Sequence, residues 1–281
     1  MSADAPAPPA PLVIVGAGRA GRGIAAAAHA AGLDATLVDR ERVVAGDAPS
    51  RADAIARAAT LLVAVQDAQL DAALAALAPA IAAAPRVVLQ VSGSAEPAAR
   101  AALVRDGHAY GTFHPLLPLA DPAVSAARFR GAVVGVEGDA PAHAAAVALA
   151  TRLGAVTIAI PRADRASYHA AAVLASNFPV TLAALAEAVL HRIGVDGAEA
   201  HRAVRVLMAA SVDNLTAAER ALDALTGPLV RGDAATVRAH VAALAGDPVT
   251  HDAYRTLGAA TLALLAARGT PSAVEPSVLD A

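Results

Sequence analysis

Residues 12–21 are LVIVGAGRAG. Four apolar residues, too short a run for a helix, lead straight into glycines at 16, 18 and 21 and then into an alanine-rich helical pattern that continues to about Ala31. In a strand-turn-helix unit of this kind each glycine has its own task. Gly16 permits the tight turn, Gly18 lets a pyrophosphate approach the backbone, and Gly21 lets the helix pack on the strand. Ala17, Arg19 and Ala20 complete a turn whose helix N-terminus faces an anion. A second strand at 35–38 ends in Asp39, whose carboxylate can accept hydrogen bonds from both adenosine ribose hydroxyls. Strand, glycine turn, helix, strand and acid together predict dinucleotide binding. The choice between NAD and NADP stays open, because Arg40 and Arg42 are suited to a 2′-phosphate that Asp39 would repel. The balance leans to NAD.

Further strand-like runs follow at 61–65, 87–91, 108–113, 132–136 and 156–160, with helical patterns between several of them. This alternation predicts an α/β domain with a doubly wound sheet over residues 12–162. In such sheets ligands bind outside the carboxyl ends of the strands. The residues there are Gln66 and Asp67, then Ser92, Gly93 and Ser94, then His114 and Pro115. Gln66 and Ser92 are candidates for the cofactor, Ser92 and Gly93 for the substrate, and His114 for catalysis. Ordinary turn chemistry accounts for Ser-Gly-Ser and His-Pro equally well.

Residues 165–177, RASYHAAAVLASN, follow the last strand-like run and open a half in which every apolar pattern is helical. At about 100° per residue, His169, Val173 and Ser176 share a narrow arc of one helix face, with Asn177 at its edge. Pro179 lacks an N–H and is expected to kink the helix by leaving the carbonyl of Ala175 unpartnered. The helix is thus a candidate active-site wall, with His169 and Asn177 as catalytic groups and Ser176 facing the substrate. The alternative is a buried helix whose His and Asn satisfy backbone groups.

The helical region, 163–269, is broken at Gly194, 226–233, 246–248 and Gly269. Asp233 reads as the N-cap of a helix starting at Ala234. Arg231, a guanidinium in a loop shaped by Gly and Pro, suits a substrate carboxylate. His240, His251 and Tyr254 read as surface or core-edge residues. Residues 1–11 and 270–281 read as disordered tails.

Composition narrows the chemistry. The hydrophobic fraction is 57%, much of it alanine, and no run of about 18 strongly apolar residues suggests a membrane span. Without a leader-like N-terminus, a cytoplasmic protein is expected. There are no cysteines, so thiolate catalysis and thiolate metal ligands are excluded. All 22 basic residues are arginine, which removes lysine Schiff-base and lysine acid-base catalysis. A net charge of -3 and 2% aromatics provide no nucleic-acid surface. The nine histidines show no metal-ligand spacing, and no metal is expected. Partners should be small molecules or a second copy of the chain.

Five segments carry a resemblance over nearly the whole length: LVIVGAGRAG, VSGS (91–94), GTFHPLLPL (111–119), YHAAAVLASN (168–177) and ALTGPLVRGD (224–233). Together they resemble oxidoreductases that pair a Rossmann-like domain with a helical C-terminal domain of unknown function. Those proteins are similar in layout to 6-phosphogluconate dehydrogenase, 3-hydroxyisobutyrate dehydrogenase, ketopantoate reductase and pyrroline-5-carboxylate reductase. The resemblance implies a 6-phosphogluconate dehydrogenase-like helical C-terminal domain and NAD(P)-linked hydride transfer to or from a small carboxylate-bearing carbonyl, alcohol or imine. It further implies a homodimer and a site between the domains. The hydroxyacid-dehydrogenase and ketopantoate-reductase branches carry a catalytic lysine four residues before the helix asparagine, where this chain has Val173. A proton must then come from His169, Tyr168, His114 or water, or the substrate is an already protonated imine. A dinucleotide-binding sensor or scaffold without turnover is the alternative.

Overall fold

The computed structural model describes residues 8–39, 49–119 and 121–280. Seven strands, β1 (Leu12–Val15), β2 (Ala35–Val38), β3 (Thr60–Val63), β4 (Val87–Gln90), β5 (Ala109–Pro115), β6 (Val133–Gly138) and β7 (Val156–Ala159), form one sheet in the order β2-β1-β3-β4-β5-β6-β7. Every strand lies within two residues of the apolar run that predicted it. Between them run α1 (Arg19–Ala30), α2 (Pro49–Arg57), α3 (Asp67–Ile81), α4 (Ala99–Arg105), α5 (Pro122–Phe129) and α6 (Ala140–Arg152). Strands β1 to β5 are parallel, β6 runs antiparallel to β5, and β7 is parallel to β6. Apolar side chains pack on both faces. Leu12 and Ile14 of β1 belong to one core cluster, and Val13 and Val15 to the other. Burial on both faces is why the parallel strands read as continuous apolar runs rather than alternating ones.

The chain divides into two compact units, 1–177 and 178–281. This corrects the boundary expected near residue 162. The helix α7 (Arg165–Arg192) is continuous through Pro179 and belongs to both units. Its first turns pack on the sheet through long-range polar contacts that a local pattern cannot reveal. The stretch 162–192 also corrects the expectation that nothing is apolar and long enough to cross a membrane. It is 31 residues long, contains an 18-residue window with a mean hydropathy of 1.6, and passes that test by length and composition alone. Nine alanines in α7 raise the average without making the helix strongly apolar.

In the second unit α7 is followed by α8 (Gly197–Ala217), α9 (Pro228–Arg231), α10 (Ala234–Leu244) and α11 (Pro248–Ala267). Aspartates cap three of them: Asp196, Asp233 and Asp247 accept hydrogen bonds from the backbone N–H of Ala198, Thr236 and Thr250. The reading of Asp233 as a cap is therefore met. The expected disordered tail after Gly269 is not. Val274 and Leu279 are buried with Val237, Val241 and Leu262, and Arg255 donates to the carbonyl of Leu279. Val274, Val278 and Leu279, spread over a segment with two prolines, gave too little periodicity to show this. At the other end, the expected tail 1–11 is corrected for residues 8–11, which lie against the sheet. The Thr60 hydroxyl donates to the carbonyl of Pro9, and Ala59 N–H to that of Pro11. An apolar groove of about 600 Å³ lies between α7, α8, α10 and α11, lined by Leu182, Val189, Leu207 and Leu257 among others.

Candidate active site

The carboxyl ends of β1 to β5 open into one cleft of about 800 Å³. In sheet order its lining runs from Asp39 after β2, through Gly16–Ala20 after β1, Gln66 and Asp67 after β3, and Ser92 and Gly93 after β4, to His114 in β5. At about 4.8 Å per strand the cleft spans roughly 19 Å, long enough for an extended dinucleotide. The sheet reverses its winding between β1 and β3, the crevice where doubly wound sheets bind ligands. Gly16 sits there with φ 114°, and a Cβ on it would stand 2.3 Å from the carbonyl oxygen of Ala64. A Cβ on Gly21 would lie 1.8 Å from the oxygen of Gly16, so helix and turn touch backbone to backbone. A Cβ on Gly18 would meet nothing within 4 Å, and no side chain caps the helix that follows. Open N–H groups at a helix start, beside a backbone with no side chain in the way, fit a pyrophosphate. Arg19 and Ala20 line the cleft as well. Arg22, which carried no signal in the motif, fastens the turn by donating from Nε to the carbonyl of Ala17 at 2.7 Å. Arg40 and Arg42 lie outside the described residues.

At the far end two histidines meet over a glycine. A Cβ on Gly93 would lie 2.7 Å from Nδ1 of His169 and 2.8 Å from Cε1 of His114. The two rings stand 5.8 Å apart, edge to face. His169 Nδ1 is buried and has no hydrogen-bond partner among the described residues. The alternative of a histidine that satisfies backbone groups finds no support at that nitrogen. Keeping such a group buried without a partner costs about 1–3 kcal/mol, and in a cleft that nitrogen is open to a water or a ligand. His114 Nδ1 lies 2.8 Å from the Tyr168 hydroxyl. Burial, helped by His169 and the positive charge of Arg165 and opposed by Asp67, lowers His114 to about 4. Burial likewise pushes the Tyr168 phenol up to about 12, against a hydrogen bond with the backbone of Gly135. Both groups are neutral at physiological pH.

Behind the cleft lies a polar cluster that sequence reasoning missed. Arg165, the first residue of α7, is 4% exposed. It pairs with Glu137 of β6 at 3.4 Å and with Glu96 at 3.5 Å, and donates to the carbonyl of Ser92 at 3.2 Å. Arg100 reaches Glu137 from the other side at 3.2 Å. One signal was present, a glutamate closing an otherwise apolar strand, but it does not name its partner. Ser92 serves the turn as well as the cleft, its hydroxyl accepting from the N–H of Ala95 at 2.9 Å and of Ser94 at 3.3 Å.

Ser176 and Asn177 are not brought to the cleft lining, and both are exposed. They share a direction with His169 but lie about 10–12 Å further along the helix axis. Helical angle alone had grouped them. Arg231, at the end of α9 in the second unit, is exposed; hydrogen bonds from Thr236, with a smaller contribution from the Arg231 charge, hold the Asp233 carboxyl below the usual carboxylate range. Among the described residues no cluster of three or more His, Cys, Asp or Glu is placed to hold a metal ion.

The lowered His114 makes stability depend on pH. Between about 4 and 6.5 the unfolded chain binds a proton that folded His114 refuses, so unfolding free energy rises with pH through that window and levels above it. The contribution lost on acidification is about 3 kcal/mol at 1.36 kcal/mol per pKa unit. Urea denaturation from pH 4.5 to 7.5 is expected to show a shallower acid loss in His114→Gln than in wild type. Parallel curves would mean that His114 titrates normally.

Residues 132–261 match a family described as a domain of unknown function (DUF2520). No curated protein matches the chain. Among solved structures, a protein from Thermotoga maritima superposes with a TM-score of 0.68 at 22% identity, covering 92% of this chain and 99% of that one. A reductive aminase from Aspergillus terreus, in complex with NADPH and ethyl levulinate, gives 0.60 at 20% identity, covering 96% and 97%. A pyrroline carboxylate reductase from Plasmodium falciparum with NADP bound gives 0.59 at 10% identity, covering 92% and 99%. At these identities the likeness establishes the fold, in keeping with the resemblance of the five motifs. The chain has a Rossmann-like fold with a helical C-terminal region, and its residues 132–261 match the DUF2520 family.

Proposed function

We propose that the protein is an NAD(P)-dependent oxidoreductase that transfers hydride between nicotinamide and a small carboxylate-bearing carbonyl, alcohol or imine. The observation that carries this reading is a single cleft with an acid and a glycine turn at one end and two histidines at the other. Gly16, Gly18, Gly21 and Asp39 would hold the adenosine and pyrophosphate, with Gln66 and Ser92 further along. The nicotinamide supplies the hydride chemistry. The chain supplies position, exclusion of water and a proton. His169 is the proposed proton donor, His114 orients the reacting group, and Arg231 is proposed to anchor the acid. The reductive aminase in complex with NADPH and the pyrroline carboxylate reductase with NADP bound support a nicotinamide cofactor. Binding without turnover is the second reading, favoured by the missing lysine.

Like charge at Asp39 favours NAD over a cofactor bearing a 2′-phosphate. Fluorescence titration should give tighter NADH than NADPH binding, with the preference shrinking or reversing in Asp39→Ser. A wild-type preference for NADPH would show that Arg40 or Arg42 dominates.

Nicotinamide absorbance across keto, hydroxy and imino acids tests turnover itself. On the substrate so found, His169→Gln should lower kcat by roughly 10²- to 10⁴-fold, about 3–5 kcal/mol of barrier, with cofactor affinity and melting temperature nearly unchanged. Near wild-type turnover in that variant would remove His169 from the chemistry.

A homodimer through the second unit is also proposed. Val180, Ile193 and Leu207 of the second unit are each about 70% exposed, Leu207 in the apolar groove itself, and monomeric proteins rarely leave such faces to water. Light scattering that reports a monomer at micromolar concentration would remove this proposal.

A further inference from the structure

Two histidines at one end of a cleft raise the question of which ring nitrogen each presents, and for His114 the surroundings answer it. Its Nδ1 is 2.8 Å from the Tyr168 hydroxyl oxygen, while the same hydroxyl lies 3.4 Å from the carbonyl of His114. The phenol has one proton to give. Of the two acceptors within reach of the phenol oxygen, Nδ1 is the nearer and takes the proton. Gly135 faces His114 in the β5–β6 register. A Cβ at Gly135 would stand 2.3 Å from that oxygen, so the phenol is seated on a glycine made for it. With Nδ1 accepting, the ring proton of neutral His114 must sit on Nε2. That nitrogen is not among the buried unpartnered atoms, and His114 lines the cleft.

We infer that Tyr168 is a positioning residue that fixes His114 as its Nε2–H tautomer, so that the cleft meets a neutral hydrogen-bond donor of fixed direction. The groups that face the ring support this. Tyr168, His169 and Arg165 approach from α7 and Asp67 from the start of α3; burial, His169 and Arg165 disfavour an imidazolium, and Asp67 is the smallest influence. A neutral imidazole donor polarises an oxygen without giving up a full proton. Resting on the oxidoreductase reading, the inference assigns His114 to a carbonyl or carboxylate oxygen of the substrate, because a protonated iminium offers no lone pair to an N–H. It also separates the two histidines. His114 holds and polarises, and proton donation is left to His169.

Nitrogen-15 NMR of uniformly labelled protein reads the tautomer directly, with His114 assigned by the signals that disappear in His114→Gln. The expected wild-type pattern is a pyridine-type Nδ1 and a pyrrole-type Nε2, unchanged from pH 8 down to about 5.5. In Tyr168→Phe the pattern should move towards a mixture of tautomers, while amide spectra elsewhere keep their dispersion. A purely structural role for Tyr168 would leave the nitrogen shifts where they were. A pyrrole-type Nδ1 in the wild type overturns the inference without any variant, since it would mean that His114 donates to the phenol and presents a lone pair to the cleft. Unchanged shifts in a folded Tyr168→Phe overturn the role of Tyr168. None of these outcomes depends on turnover. If no substrate is ever found while the tautomer is as expected, the oxidoreductase reading falls and the positioning stands.

Discussion

A guanidinium taken out of water needs partners on several sides, and Arg165 finds them only where the sheet, the turn after β4 and the first turn of α7 come together. Removing one member of such a buried group leaves an uncompensated charge and costs about 3–5 kcal/mol. The register of α7 against the sheet is therefore not free to slide by a residue. That constraint decides the site, because Tyr168 and His169 sit three and four positions along the same helix. Once Arg165 is docked on Glu137, the next turn can only deliver a phenol to Gly135 and an imidazole to Gly93.

The absence of side chains is what lets these groups arrive. Gly16 and Gly21 bring a helix N-terminus against the sheet, and Gly93 and Gly135 do the same for a ring and a hydroxyl. A methyl group at any of the four would collide with backbone or ring atoms closer than 3 Å. The first pair belongs to a motif that can be read from sequence, and the second does not. A glycine in β6 looks like a weak strand residue until the tyrosine that rests on it is known.

The legible part of the molecule was the part written in local patterns. Apolar runs gave seven strands, the glycine spacing gave the turn after β1, and residues at strand ends gave Gln66, Ser92, Gly93 and His114 as cleft residues. What failed had long-range or axial causes. The pairing of Arg165 with Glu137 joins residues 28 apart. Val274 and Leu279 are buried by helices that precede them and show no period of their own. Ser176 and Asn177 matched His169 in angle but not in height, and a helical wheel discards height. The hydropathy of α7 was misjudged for a different reason: alanine counts as apolar on an averaged scale, yet contributes little surface to bury.

The reversal between β5 and β6 has a consequence for where chemistry can be placed. With the first five strands pointing one way, a sixth and seventh running with them would have ended at the cleft rim, and the next helix would have led away from it. Because β6 and β7 run the other way, the chain re-enters from below, and α7 climbs from the level of Glu137 to that of Gly135, opposite His114. The floor of the cleft is thus furnished by a rigid helical turn rather than by a loop. Tyr168 and His169 inherit the stiffness of a helix anchored at its first residue, and cannot drift with the surface loops around them. Such a site gains precision at the expense of adaptability, because even the turn after β4 touches both imidazoles through Gly93.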